Sequence, residues 1–231
     1  MISQGEACQR ITDGLAALGI DPLSEASLCQ LWSYFTELSK WNRSINLVAK
    51  APDQEIIETH FLDSLTLLPA ITTGPLLDVG SGAGFPGLVI KIARPECNIT
   101  LVEPRQKRVS FLRHIIRTLG LTGITVSDQR LSAGDPAFAE AHGQFPAITC
   151  RALTEIAPFL GLIETLSPPQ GVVLCMKGPR ADAELADWQA NSPNSPFRLE
   201  RHLQFRLPHS GAERTIVVFR KHGPEERPAT P

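Results

Sequence analysis

Leu76-Leu-Asp-Val-Gly-Ser-Gly-Ala-Gly-Phe-Pro-Gly87 is the stretch that decides the fold. An apolar run (Leu76, Leu77, Val79) meets four glycines, Gly80, Gly82, Gly84 and Gly87, and an amphipathic segment reopens from Leu88 to Ala93. This order predicts a strand, a tight glycine turn and a helix start. Glycine tolerates positive φ and lets a ligand approach the backbone. Pro86 suits the first turn of a helix, and such a turn offers backbone N–H groups and a positive helix end to a ligand. The dinucleotide fingerprint G-x-G-x-x-G needs a small residue at position 85, where Phe85 stands. A second strand, 98–102, ends in Glu103, at the distance where an acid meets the two hydroxyls of a ribose. Each half alone has a plainer reading, an ordinary αβ turn and an exposed strand-end acid. Together they point to a nucleoside-bearing cofactor, held by Gly80, Gly82, Gly84 and Glu103.

Outward from this unit the chain alternates. Strands are predicted at 76–79, 98–103, 123–127, 146–150 and 171–176, and helices at 86–93, 105–119, 154–165 and 181–190. Such alternation builds βαβ units and a parallel sheet covered on both faces. Two further strands, 198–206 and 214–220, are joined by Pro208-His-Ser-Gly211 and place an antiparallel strand in the sheet. Before the glycine turn the periodicity is helical, over 3–19, Ser24 to Trp41 and Glu55 to Ala70. The expected organisation is an N-terminal helical extension (1–74), an α/β domain (75–221) and a disordered tail (222–231). Ligands of open α/β sheets sit beyond the carboxyl ends of the strands. Gly80–Gly84, Glu103, Asp128–Ser132, Cys150–Arg151 and Lys177 all fall there.

The 231 residues suit one domain with an extension, and a hydrophobic content of 42% allows a substantial core. A net charge of −2 gives no global basic field, so any nucleic-acid contact must be local. Five scattered cysteines without a C-x-x-C pair suggest neither a metal site nor a disulfide framework, and fit reduced thiols in a cytoplasm. No basic-then-apolar leader opens the chain and no apolar run is long enough for a membrane span.

Local positive charge is concentrated in Arg105, Lys107, Arg108, Arg113 and Arg117, with no acid between Glu103 and Asp128. A solvated helix face is the plain reading. The lack of interleaved acids argues for a phosphate-contacting surface instead, since i,i+4 ion pairs need both signs. Arg151 and Lys177, each at a strand end, stand at the pocket mouth as candidate anion contacts. Arg151 has a structural alternative in an ion pair with an acid such as Glu155.

The glycine turn with Glu103 resembles the first two motifs of S-adenosylmethionine-dependent methyltransferases more than the NAD pattern. The nucleophiles and bases of several such enzymes are missing. Cys150-Arg-Ala-Leu153 stands where amine methylases carry Asn/Asp-Pro-Pro-aromatic, there is no Pro-Cys pair, and no acid ends the fourth strand to work with Lys177. Guanine N7 fits this absence. It has a free lone pair and no proton, so transfer needs positioning in line with the S–CH3 bond and no general base.

The chain resembles the 16S ribosomal RNA guanine-N7 methyltransferases, the RsmG or GidB family, over roughly residues 25 to 220. The resemblance rests on Trp41-Asn-Arg-Ser-Ile-Asn-Leu47, His60-Phe-Leu-Asp-Ser64, Asp78 to Gly87, Lys107-Arg-Val-Ser-Phe-Leu112, Cys150-Arg-Ala152 and Lys177-Gly178. It implies a Rossmann-like class I methyltransferase fold, S-adenosyl-L-methionine as donor, and a guanine of the small-subunit RNA (position 527 in the usual numbering) as acceptor. It also implies that Gly80, Phe85, Leu131, Ser132 and Arg151 line the cofactor. Two departures stand out: Ser132 replaces the family's acid, and Phe145-Pro146 replaces Phe-Asp. The expected protein is a cytoplasmic monomer acting on 16S rRNA or the small ribosomal subunit, with no metal and no membrane. Arg105, Lys107, Arg108, Arg113, Arg117, Arg151 and Lys177 are the expected RNA contacts.

Two alternatives remain open at this level. A NAD-dependent oxidoreductase is disfavoured by Phe85, the long helical extension and the basic helix. A non-catalytic RNA-binding or assembly protein on the same fold is disfavoured by the intact glycine turn and Glu103.

Overall fold

The apolar runs after residue 75 pair into a seven-stranded sheet, in a computed structural model that describes residues 2–71 and 74–223. The strands are β1 (Leu76–Val79), β2 (Ile99–Val102), β3 (Ile124–Ser127), β4 (Ala147–Arg151), β5 (Val172–Lys177), β6 (Phe197–Arg206) and β7 (Glu213–Lys221). Their spatial order is β3-β2-β1-β4-β5-β7-β6. β1 to β5 run parallel, and β7 lies antiparallel between β5 and β6. This is the mostly parallel sheet with an antiparallel insertion that the hydrophobic pattern predicts.

Strand order reverses at β1, which pairs with β2 on one side and β4 on the other. Val79 stands level with Val102 and Cys150, so the chain leaves three adjacent strands at one height. That is the topological switch point of the sheet, and Gly80, Glu103 and Arg151 are thereby brought to one place.

Alternate residues of each strand feed opposite cores. Leu76, Leu101, Leu174 and Val218 join α5 (Gly87–Ala93), α6 (Gln106–Thr118) and the N-terminal helices. Leu77, Val102, Val173 and Phe219 face the other way, onto α8 (Ile156–Ile163) and α9 (Ala181–Asn191). The N-terminal elements are α1 (Gln4–Ala17), α2 (Glu25–Asn42) and α3 (Asp53–Ile56). Ser3 starts α1 with a reciprocal Glu6 capping box, and the Ser24 hydroxyl caps α2. Leu31, Tyr34 and Phe35 of α2 lie in the same buried cluster as Phe85, Leu88 and Phe111. The extension shares one core with that face of the sheet.

Two elements differ from the hydrophobic periodicity. The single helix expected over Glu55 to Ala70 is α3, a wider π-helical turn at Ile57–Leu62, a short α4 (Asp63–Leu65) and a 3-10 turn at Leu68–Ala70. One additional residue per turn leaves the apolar spacing nearly unchanged, so periodicity does not report it. The helix α7 (Ala137–His142) has no counterpart among the predicted helices, because six residues after Pro136 are too few for a periodic signal. The expected disordered tail lies outside the described residues from 224 onward.

Candidate active site

Beyond the carboxyl ends of β1, β2, β4 and β5 the surface opens into a cleft of about 1110 Å³. The glycine turn forms its floor. Gly80, Gly82 and Gly84 have φ of +75°, +59° and +98°, the left-handed region in which side chains are strained. A Cβ at Gly80 would strike Leu153, and one at Gly84 would strike Leu88 and the Tyr34 hydroxyl. A Cβ at Gly82 would meet nothing nearer than Arg108 Nη1 at 3.7 Å, so this glycine leaves room on the cleft side.

Most of the turn's N–H groups are already used. Gly80 and Ser81 both donate to Val102 O, at 2.9 and 3.0 Å. Gly82 donates to Glu103 Oε2 at 3.0 Å, Gly84 and Phe85 donate to Ser81 O, and Gly87 donates to Asp78 Oδ2 at 3.0 Å. A phosphate cradle keeps such donors for its ligand. This turn spends them on the sheet and on two carboxylates, so it suits a nucleoside without phosphate.

Glu103 is buried, with Oε1 accepting from Arg105 N at 2.9 Å and Arg108 Nη1 3.5 Å from Oε2. A carboxylate oxygen accepts more than one hydrogen bond, so this fixed acid can still take two ribose hydroxyls.

Phe85 is packed rather than displayed. Its ring is stacked with Tyr34 (5.4 Å) and with His60 (5.0 Å), and Phe61 meets it edge-on at 5.1 Å. Tyr34, fully buried, donates its hydroxyl to Ala83 O and so ties α2 to the glycine turn. The Arg151 guanidinium lies 5.1 Å over the Phe85 ring.

Arg151 pairs with Asp63, not with Glu155. Nη1 donates to Thr59 O at 2.8 Å and lies 3.5 Å from Asp63 Oδ2, and Nη2 donates to His60 Nδ1 at 2.8 Å. Asp63 also sits 3.2 Å from Arg214 Nε on β7. Burial and the two arginines push the His60 pKa down to about 3, so its ring is neutral and accepts. Burial pushes Asp63 up while Arg151 and Arg214 pull it down. The H-x-x-D-S block thus has a physical meaning: His60 and Asp63 reach the same guanidinium. Asn42 explains the W-N-x-x-x-N-L block. Its Oδ1 accepts from Leu47 N (2.7 Å) and Val48 N (3.0 Å), which holds both residues against the cleft.

The remaining predicted residues divide. Arg105 and Arg108 line the cleft, whereas Lys107, Arg113 and Arg117 are exposed on α6 outside it. Asp128 comes within 3.9 Å of Arg113, so the helix is less free of acids than its sequence suggests. Leu131 and Ser132 line an adjoining pocket of about 260 Å³ with Phe138 and Leu162, and Arg130 is shared with the main cleft. Lys177 also lines the cleft. It is only 8% exposed and its ammonium is held by Glu184 (2.7 Å) and Thr154 O (2.5 Å), so its charge is spent within the chain. Glu184 on α9 does this, a partner that reading strand ends does not reveal. Arg130, Arg180 and Arg214 line the cleft and were not singled out as contacts. Among the described residues no cluster of His, Cys, Asp or Glu could hold a metal ion, and no helix is long and apolar enough to cross a membrane.

A family model described as "rRNA small subunit methyltransferase G" matches residues 27–206. The chain belongs to this family. It is similar to the ribosomal RNA small subunit methyltransferase G of Desulfotalea psychrophila, 45% identical, with 91% of this chain and 96% of that one covered. The protein of the same description from Syntrophotalea carbinolica is 38% identical, covering 92% and 97%. Among solved structures, a methyltransferase from Pyrococcus furiosus matches with a TM-score of 0.54 at 13% identity, over 84% of this chain and 98% of that one. Coclaurine N-methyltransferase bound to N-methylheliamine and SAH also gives 0.54, at 10% identity over 95% and 96%. These structural likenesses establish the Rossmann-like class I methyltransferase fold.

Proposed function

We propose that this chain transfers a methyl group from S-adenosyl-L-methionine to N7 of a guanine in 16S ribosomal RNA, by in-line displacement without a general base. Membership of the rRNA small subunit methyltransferase G family supports the reaction and the substrate. The observation that carries the site assignment is the glycine turn whose N–H groups are spent on Val102 O and Glu103, beside a carboxylate with acceptor capacity left. That chemistry fits a donor built from a ribose and an amino acid and lacking phosphate. When bound, the donor supplies an electrophilic methyl group.

The chain's own residues hold and orient. Glu103 takes the ribose hydroxyls, Gly82 gives backbone clearance, and Gly80 and Gly84 shape the turn. Phe85, with Tyr34 and His60 on its faces, forms a dry wall. Arg151 keeps two donors free, Nε–H and one on Nη2, for the donor's carboxylate. Leu131 and Ser132 contact the cofactor through the pocket they share with Arg130. Arg105 and Arg108 at the cleft, with Lys107, Arg113 and Arg117 beyond, meet RNA phosphates. We divide the chain into a helical extension (1–74) and a methyltransferase domain (75–221), acting as a cytoplasmic monomer.

The test gives small-subunit particles and naked rRNA to the protein with labelled S-adenosylmethionine and maps the methylated base. N7 methylation of one guanine is the expected result. No transfer despite bound S-adenosylhomocysteine would leave a non-catalytic RNA-binding role. A thermal shift with NADH and none with S-adenosylhomocysteine would overturn the cofactor.

A further inference from the structure

The π-helical turn Ile57–Leu62 divides three successive residues between two distant anchors. Glu58 Oε1 accepts from His209 N (2.7 Å) and Ser210 N (3.0 Å) at the β6–β7 turn. Thr59 offers its carbonyl, and His60 its Nδ1, to Arg151. Wide turns of this kind re-aim backbone and side chains and concentrate at functional sites. Asp63, immediately after it, adds a carboxylate to the same guanidinium and bridges to Arg214. A guanidinium has five N–H donors in a fixed plane. Three contacts from one short segment orient that plane and leave Nε–H and one Nη2–H. Stacking of His60 on Phe85, with Arg151 over the same ring, fixes the height of the fork above the glycine turn.

We propose that His60 and Asp63 are positioning residues of the methyl-transfer site: they hold Arg151 in the single orientation that presents its two free donors to the donor's carboxylate. This rests on the reading of Arg151 as a cofactor contact. His60 and Asp63 act through Arg151. They therefore govern affinity for the cofactor and leave the RNA term alone.

The two members of the network separate by substitution. His60→Phe keeps an aromatic ring against Phe85 and removes the acceptor. His60→Asn restores an acceptor near the place of Nδ1 and removes most of the ring. With His60→Phe, Kd for S-adenosylhomocysteine by calorimetry should rise about tenfold, the loss typical of one charge-assisted hydrogen bond. KM for S-adenosylmethionine should rise in parallel, with kcat and KM for RNA little changed. His60→Asn should recover most of the affinity despite its poorer packing. Asp63→Asn reads the other arm of the fork at constant volume and should also raise the Kd, which covers the case in which His60→Phe does not fold. Arg151→Gln is measured beside them. If it leaves cofactor affinity intact, the reading of Arg151 fails and the inference with it. If Arg151→Gln is impaired while folded His60→Phe and Asp63→Asn are not, positioning alone is refuted. Equal losses in the Phe and Asn variants of His60 would also refute it, since packing would then explain both.

Discussion

Asp78→Asn isolates a single buried charge. The Asp78 side chain is fully buried at the end of β1. One carboxyl oxygen accepts from Gly87 N, and the other has no hydrogen-bond partner among the described residues. Burial pushes its pKa from 3.8 up to about 6. An acid whose folded pKa lies above its unfolded value binds more protons when folded, so ionising it costs stability. The cost is small below about pH 4, grows as pH rises towards 6 and is complete above that, reaching ~3 kcal/mol. His60 works in the opposite sense. Its pKa falls from 6.5 to about 3 on folding, chiefly through burial, so stability is lost as pH falls from 6.5 towards 3. Each group changes stability by at most about 1.4 kcal/mol per pH unit, and between about pH 4 and 6 the two slopes offset one another in the wild type. Asparagine at 78 removes only one of them. Urea denaturation of both proteins gives the stability difference, mutant minus wild type. It should increase by about 2 kcal/mol between about pH 4.5 and 7.5. The mutant alone should also lose stability on acidification more steeply than the wild type. A difference that does not vary with pH would refute the raised pKa and the burial argument behind it.

Gly87→Ala should destabilise by about 2–5 kcal/mol, because the new methyl collides with Leu101 and lies 2.7 Å from the Asp78 oxygen that accepts Gly87 N–H; chemical denaturation measures it, and a loss under about 1 kcal/mol would contradict the close approach. Gly82→Val should weaken S-adenosylhomocysteine binding more than about tenfold, since φ of +59° is hostile to a β-branched residue and the open side of Gly82 is assigned to the ligand. Undiminished affinity by calorimetry would sink that assignment. Arg113→Glu with Arg117→Glu should weaken RNA binding, reduce the salt slope by roughly 2 and spare cofactor affinity. Filter binding across a salt series would return α6 to a solvated face if RNA affinity were unchanged.

Most of the parallel strands were legible because strands buried on both faces read as apolar runs, and the ends of all five came out within a residue or so. The glycine turn was legible because positive φ leaves a compositional trace. The partners of Arg151 were not. His60 and Asp63 stand about ninety residues earlier in the chain, and their block was visible as a motif with no stated purpose. The ion pair of Lys177 was hidden for the same reason: a strand-end lysine looks free until α9 brings Glu184 to it. Phe85 was read as the residue that excludes a dinucleotide pattern, and its stacking between Tyr34 and His60 depended on how α2 and the π-helical turn fold back.

That turn sets a constraint on chain length. A helix of ordinary pitch advances about 100° per residue, so deleting one residue between Ile57 and Leu62 would rotate everything on one side of the cut relative to the other. Glu58 could then keep the β6–β7 turn, or His60 and Asp63 could keep Arg151, and the two attachments would no longer be satisfied together. Single-residue deletions there should therefore be far less tolerated than in the neighbouring loops. The spacing between two anchors, as much as the identity of either, is what the segment preserves.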